Sequence, residues 1–154
     1  MNYQEIKEQK QRDYNKLFDN CGVFWAFSNE QFIEGAKKNP LQEGEKYVDI
    51  GSGGYMPRHN VEKLKAGTKE IDETFKTQIK EFKARETHIL YELNNHECFY
   101  IGSIEGAIQA LGEDYTAEEV TTVMKKYKAQ KYARPTVESD YIGDVEKEII
   151  ASHN

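Results

Sequence analysis

The stretch from Asn60 to Phe82 constrains this chain more than any other. Val61, Leu64, Ile71, Phe75, Ile79 and Phe82 recur at steps of three, four and their sums, and Thr68 fills the gap on the same stripe. That period places them on one face of an α-helix, which Gly67 weakens locally. The stripe continues through Ile89 and Leu93, with a break expected near Arg85 to Thr87. At the helical rise the portion up to Ala84 alone spans roughly 35 Å. That is long for a chain of 154 residues. Part of the stripe is therefore expected to pack on something other than a small sheet, and Val61–Phe82 offers a seam for a homodimer.

The remaining elements follow from caps and breakers. Residues 2 to 19 read as a helix, with Tyr3, Ile6, Tyr14, Leu17 and Phe18 near one face and Gly22 as its stop. Val23–Phe27 is apolar on both faces, as a strand buried between layers should be. Ser28-Asn29-Glu30-Gln31 is a capping box that opens a helix burying Phe32, Ile33 and Ala36, and Pro40 ends it. Lys46–Ile50 is a second strand, Gly51–His59 a loop, and Cys98–Ile101 a third short strand. Ser103 and the box Thr116-Ala117-Glu118-Glu119 start two further helices, whose apolar residues are Ile104, Ala107, Ile108 and Leu111, then Val120, Val123, Met124 and Tyr127. The sum is a helix-rich α+β single domain over 1–134 with a two- or three-stranded sheet, followed by an acidic C-terminal tail at 135–154.

Charge narrows the function classes. The net charge is −6, the wrong balance for nonspecific nucleic-acid binding, which needs clustered Lys and Arg. Ten Tyr, seven Phe and one Trp supply core or interface material that a disordered chain would lack. No run approaches 18 apolar residues and Met1–Lys7 has no apolar signal core, so no membrane segment is expected. Cys21 and Cys98 lack CxxC spacing, which favours reduced, buried thiols and a cytoplasmic location.

The segment Tyr47-Val48-Asp49-Ile50-Gly51-Ser52-Gly53-Gly54-Tyr55 nearly spells the cofactor loop of methyltransferases that use S-adenosylmethionine. Three features oppose that reading. Tyr55 stands where a third close-approach glycine belongs, and Pro57-Arg58-His59 delay the helix. The next strand, with its acidic ribose contact, is replaced by helix. No cofactor is expected. The loop reads instead as a tight strand-to-helix connection with glycines at positive φ. It doubles as a candidate contact through Gly53, Gly54, Tyr55 and Arg58, because backbone N–H groups in such a turn can form an anion nest.

His88, Glu92 and His96 stand at i, i+4, i+8, but two helical turns span about 12 Å, too far for one ion. H-E-x-x-H is absent, so no metal site is expected, and Glu92–His96 reads as a helical ion pair. Glu92, His96 and Glu97 remain candidate binding residues. The last two helices resemble a helix-turn-helix in length, yet the N-terminal end that would read DNA is Glu118-Glu119.

Phe24–Phe32, Gly51–Pro57 and Tyr91–Glu97, taken together, resemble small uncharacterised proteins carried by phages and mobile elements of gut bacteria, over roughly residues 20–125. The resemblance implies an accessory protein, a class that often inhibits host defence. The resulting expectation is a non-enzymatic protein-binding protein, for example an anti-CRISPR inhibitor, using the long helix, aromatics and acidic surface. The alternative is a small-molecule- or metal-binding protein, conceivably an enzyme, built on the loop 51–58 and Glu92, His96 and Glu97.

Overall fold

Helix α1 (Tyr3–Cys21) begins where Asn2 and Glu5 cap each other reciprocally, side chain to backbone N–H at 2.8 and 2.9 Å. It ends at Gly22, whose φ of 69° lets the Val23 N–H reach back to the Phe18 carbonyl. The computed structural model describes residues 1–132, and the expected acidic tail at 135–154 lies outside the described residues. Beyond α1 come β1 (Phe24–Trp25), α2 (Asn29–Lys38), β2 (Tyr47–Gly51), β3 (Gly54–Pro57), a 3-10 turn (Arg58–Asn60) and α3 (Val61–Glu81). The chain closes with α4 (Arg85–Asn95), α5 (Cys98–Ile101), α6 (Glu105–Leu111) and α7 (Ala117–Tyr132). The α+β class holds, with a three-stranded antiparallel sheet ordered β1-β3-β2. The chain divides into two compact units, Met1–His88 and the residues from Ile89 onward.

In the first unit the sheet lies between helices. Phe24 pairs with Tyr55, and Tyr55 with Asp49, so Phe24, Tyr47 and Tyr55 share one face. There they meet Phe32 of α2 in a cluster of rings with centroids 5.0–5.9 Å apart. Gly35 lets α2 approach this closely, since a Cβ there would sit 2.2 Å from the Phe24 ring. Met56 and Val48 occupy the opposite face and pack with Cys21, Val23, Leu17, Phe18, Val61 and Leu64 of the α1–α3 layer.

Helix α3 confirms the periodic stripe and shows what covers it. Gly67 abuts Leu17, where any Cβ would fall 2.4 Å from Leu17 Cδ1, so the mid-helix glycine is a close-approach site. Tyr14 donates to Asp72 at 2.9 Å, and Lys10 both pairs with Asp72 at 3.2 Å and lies 4.3 Å over the Phe75 ring. Helix α1 of the same chain thus packs along part of the stripe offered as a homodimer seam, and Phe82 at its end stays 39% exposed. The helix stops at Phe82, earlier than expected. Lys83 adopts φ 52°, and the Ala84 N–H returns to the Ile79 carbonyl.

Three local expectations change. The strand expected over Val23–Phe27 shrinks to Phe24–Trp25, because Ser28 draws the chain into α2 by accepting from Gln31 N–H while Gln31 accepts from Phe27 N–H. In α2, Phe32 and Ala36 are half-buried and Ile33 is exposed, since only one edge of that helix meets the sheet. Cys98–Ile101 is helical, not a strand. Among the described residues the second unit offers it no strand to pair with, and one helical turn satisfies its own backbone.

The second unit is a helical cluster. Ile89 and Leu93 of α4, Cys98 of α5, Ala107 and Leu111 of α6, and Val120, Val123 and Met124 of α7 form one buried core. The Thr116 cap is present, accepting from the Glu119 N–H at 3.2 Å. Among the described residues no helix is long and apolar enough to cross a membrane.

Candidate functional site

The glycine segment, expected to be a strand-to-helix loop, is a β-hairpin. Ser52 and Gly53 are its two turn residues, with φ of 53° and 80°, the pair of positive angles that a type I′ turn requires. A bulge between Asp49 and Gly51 adds one residue to β2, and Asp49 Oδ1 accepts from the Gly51 N–H at 2.8 Å to hold it. That bond counts against an anion nest, since a carboxylate already occupies one of the backbone donors. Arg58 sits past the far end of β3, where its N–H donates to Lys46 O at 3.3 Å. Tyr55 belongs to the aromatic cluster under α2, not to an open loop.

The turn instead organises a set of exposed apolar side chains. Phe27 is 76% exposed, Trp25 46% and Ile50 38%. Each is nonetheless held. The Phe27 ring lies where a Cβ on Gly53 would be, 2.5 Å from its Cε1, and the neighbouring Ala26 N–H donates to Gly53 O at 2.9 Å. Ile50 Cγ1 covers the corresponding position of Gly54, at 2.8 Å. Trp25 pairs across from Gly54 and meets Phe18 edge-on, with ring centroids 5.4 Å apart. Gly53 and Gly54 are therefore glycines because aromatic and aliphatic side chains lie over them. Reading Val23–Phe27 as a buried strand concealed Trp25 and Phe27. The capping box directly after Phe27 was the available sign that the strand must end there.

The Glu92–His96 pair forms as expected, with Nε2 to Oε2 at 3.3 Å. His96 rests against Gly106 of α6, where a Cβ would come within 3.0 Å of the His96 Cβ. Glu97 adopts φ 53° and forms the left-handed junction between α4 and α5. His88 does not join them. It lies in the first unit, stacked on Tyr3 at 5.5 Å and edge-on to Phe75 at 5.2 Å. Burial, with Lys10 and Arg85 nearby, pushes its pKa down to about 4. Among the described residues no three His, Cys, Asp or Glu side chains converge to hold a metal.

Two other features are accounted for by the fold. Glu45 accepts from the backbone N–H groups of Gln42 and His59 and from His59 Nδ1, clasping the loop before β2 to the 3-10 turn. Burial opposes its ionised form, but these hydrogen bonds outweigh it and hold the carboxyl below its ordinary range. An open depression of about 600 Å³ along α3 is lined by Leu64, Lys65, Thr68, Lys69, Asp72 and Lys76 among others. Its Asp72 is engaged by Lys10 and Tyr14, and Lys65 pairs with Glu62. It is a solvated helix face.

A model of a family of unknown function, DUF7659, matches residues 2–132. The chain belongs to this family. No curated protein and no solved structure matches it. The DUF7659 match runs from the Asn2 cap of α1 to Tyr132 at the end of α7, taking in both units and the hairpin, and is wider than the 20–125 span of the resemblance.

Proposed function

We propose that this DUF7659 protein is a non-enzymatic binding protein that meets a protein partner through Trp25, Phe27 and Ile50 around the Ser52–Gly53 turn. The observation that carries the reading is an aromatic side chain 76% exposed yet seated on a glycine with no room for a Cβ. Exposed apolar groups cost solubility unless something covers them, and rigid aromatics lose little entropy when they are covered. Aromatic anchors of this kind concentrate binding energy. The finer reading is an accessory protein of a phage or mobile element that inhibits a host defence protein, supported by small size and a net charge of −6.

The test compares affinity capture from host lysate by the wild-type chain and by Phe27→Ala. A partner retained by the first and lost by the second is expected. Equal retention by both would sink the role of the platform. For the finer reading, the captured partner should be a defence component whose activity falls when the protein is added. An unrelated partner would remove that reading and leave the binding role standing.

A further inference from the structure

The platform has a one-sided electrostatic setting. The segments that build it, residues 17–36 and 47–57, contain Asp19, Glu30, Glu34 and Asp49 and no Lys or Arg. All four are exposed. Two of them flank the platform directly in sequence. Asp49 precedes Ile50 and buttresses the bulge through Gly51 N–H, and Glu30 lies in the first turn of α2, three residues after Phe27. Asp19 follows Phe18, the residue on which Trp25 rests. The cations that bound these segments are Lys16 and Lys37, ten residues beyond Phe27 along α2 in the case of Lys37, and Lys46 and Arg58 at the open end of the hairpin, about 15 Å from the turn by the rise of a strand. Lys63 reaches the end of α1, where its Nζ donates to Asn20 O at 3.3 Å.

Resting on the protein-binding reading, we infer that the occupant of this platform is an arginine-bearing segment of the partner, with a guanidinium lying on the Phe27 or Trp25 ring and a further basic side chain meeting the acidic rim. Arginine suits both parts of the surface. Its planar, weakly hydrated cation stacks on aromatic faces, and its donors match carboxylates. Lysine meets the rim equally well but stacks less favourably, so arginine is preferred over lysine of equal charge. An acidic or uncharged apolar segment would gain the ring contact and lose the rim.

Trp25 is the chain's one tryptophan, so its emission reports on the platform directly. The experiment titrates the full chain with blocked tetra-arginine, tetra-lysine and tetra-glutamate peptides while following that emission. Tetra-arginine is expected to change it saturably and to bind about threefold or more tighter than tetra-lysine, as the cation–π difference implies. Binding should weaken steeply as salt rises from about 0.05 to about 0.5 M. Phe27→Ala, at a side chain mostly in solvent, and Glu30→Gln should each weaken it, whereas the charge-matched control Glu113→Gln in the second unit should not. An unchanged emission with tetra-arginine, or equal binding by wild type and Phe27→Ala, would overturn the assignment. Equal affinity for arginine and lysine peptides would do the same. If lysate capture still depends on Phe27 in that case, only the chemistry of the occupant is wrong and the binding reading survives.

Discussion

The two units are held together by different physics. In the first, polar groups far apart in sequence stitch the layers. Tyr14 reaches Asp72, Asn60 Nδ2 donates to the Cys21 carbonyl, Tyr47 donates to the Ala36 carbonyl, and Glu45 clasps His59. In the second, eight buried residues from four helices form the core, and bonds such as Asn94 to Leu90 and Thr122 to Glu118 stay within a helix. The contrast bears on function. Trp25, Phe27 and Ile50 stand on a sheet braced from both faces. Tyr100 and Ile101 are more exposed than most, at 92% and 64%, but ride on the four-residue helix α5. A binding surface that must keep its shape before a partner arrives is better founded on the first arrangement, because preorganised side chains need less ordering on binding.

The largest effect expected from this contrast is on the second unit. Leu93 is fully buried in the helical core, and Leu93→Ala should cost about 3 kcal/mol through lost burial and a residual cavity. Chemical denaturation followed by helical circular dichroism measures this, while Trp25 emission follows the first unit. Shifts of equal size in both signals would break the division drawn here.

The first unit should respond to a polar change. Asp72→Ala removes the acceptor shared by Tyr14 and Lys10 and should cost about 1.5 kcal/mol. The Tyr14 phenol, pushed up to about 12 by burial and then by the Asp72 hydrogen bond and charge, should fall back toward its ordinary value. Ultraviolet titration of tyrosine reads that fall, and a Tyr14 that does not move would refute the stitching role of Asp72.

Acid should act on the same unit. His88 stays neutral in the fold down to about pH 4, whereas in the unfolded chain it takes up a proton near its ordinary value of 6.5. The unfolded state therefore binds more protons in that window, and stability falls as pH drops from about 6.5 toward 4. After allowance for solvent screening the loss is about 1–2 kcal/mol. His88→Phe, which keeps a ring between Tyr3 and Phe75, should flatten this part of the pH profile. A profile that His88→Phe leaves unaltered would show that the acid sensitivity lies elsewhere.

The smallest effect concerns the end of α3. Lys83 holds φ 52°, a conformation that glycine adopts without the cost of a Cβ. Lys83→Gly should stabilise the first unit by about 0.5 kcal/mol, read as a small rise in the Trp25 emission midpoint. A fall would mean that the Lys83 side chain contributes more than its backbone costs.

Much of the helical architecture was legible because helices declare themselves locally. The Val61–Phe82 period, the Gly22 stop and the Ser28 and Thr116 caps each act within a few residues, and all appear in the structure. The hairpin was not legible for the opposite reason. A Gly-Ser-Gly-Gly run after a strand is compatible with a cofactor loop, a connection to a helix or a type I′ turn, and only the pairing of Gly54–Pro57 with both β1 and β2 selects the last. The candidate site was half visible. Gly53 and Gly54 were named from the sequence, but as backbone contacts, while the side chains that make the surface were assigned to the core. Of the other loop residues named, Tyr55 lies in the ring cluster with Phe32 and Arg58 lies past the far end of β3.

Sequence alone therefore determined most of the helices, several of their caps, the acidic balance and the presence of a glycine turn, since propensity, capping and charge are carried by the residues themselves. Tertiary structure decided which apolar residues are covered. Phe75 and Phe27 are the same chemical group, yet one lies between α1 and α3 and the other stands in solvent on Gly53. Burial is a property of what a side chain meets, and for Phe27 that was settled by a strand brought beside it from 26 residues further along the chain.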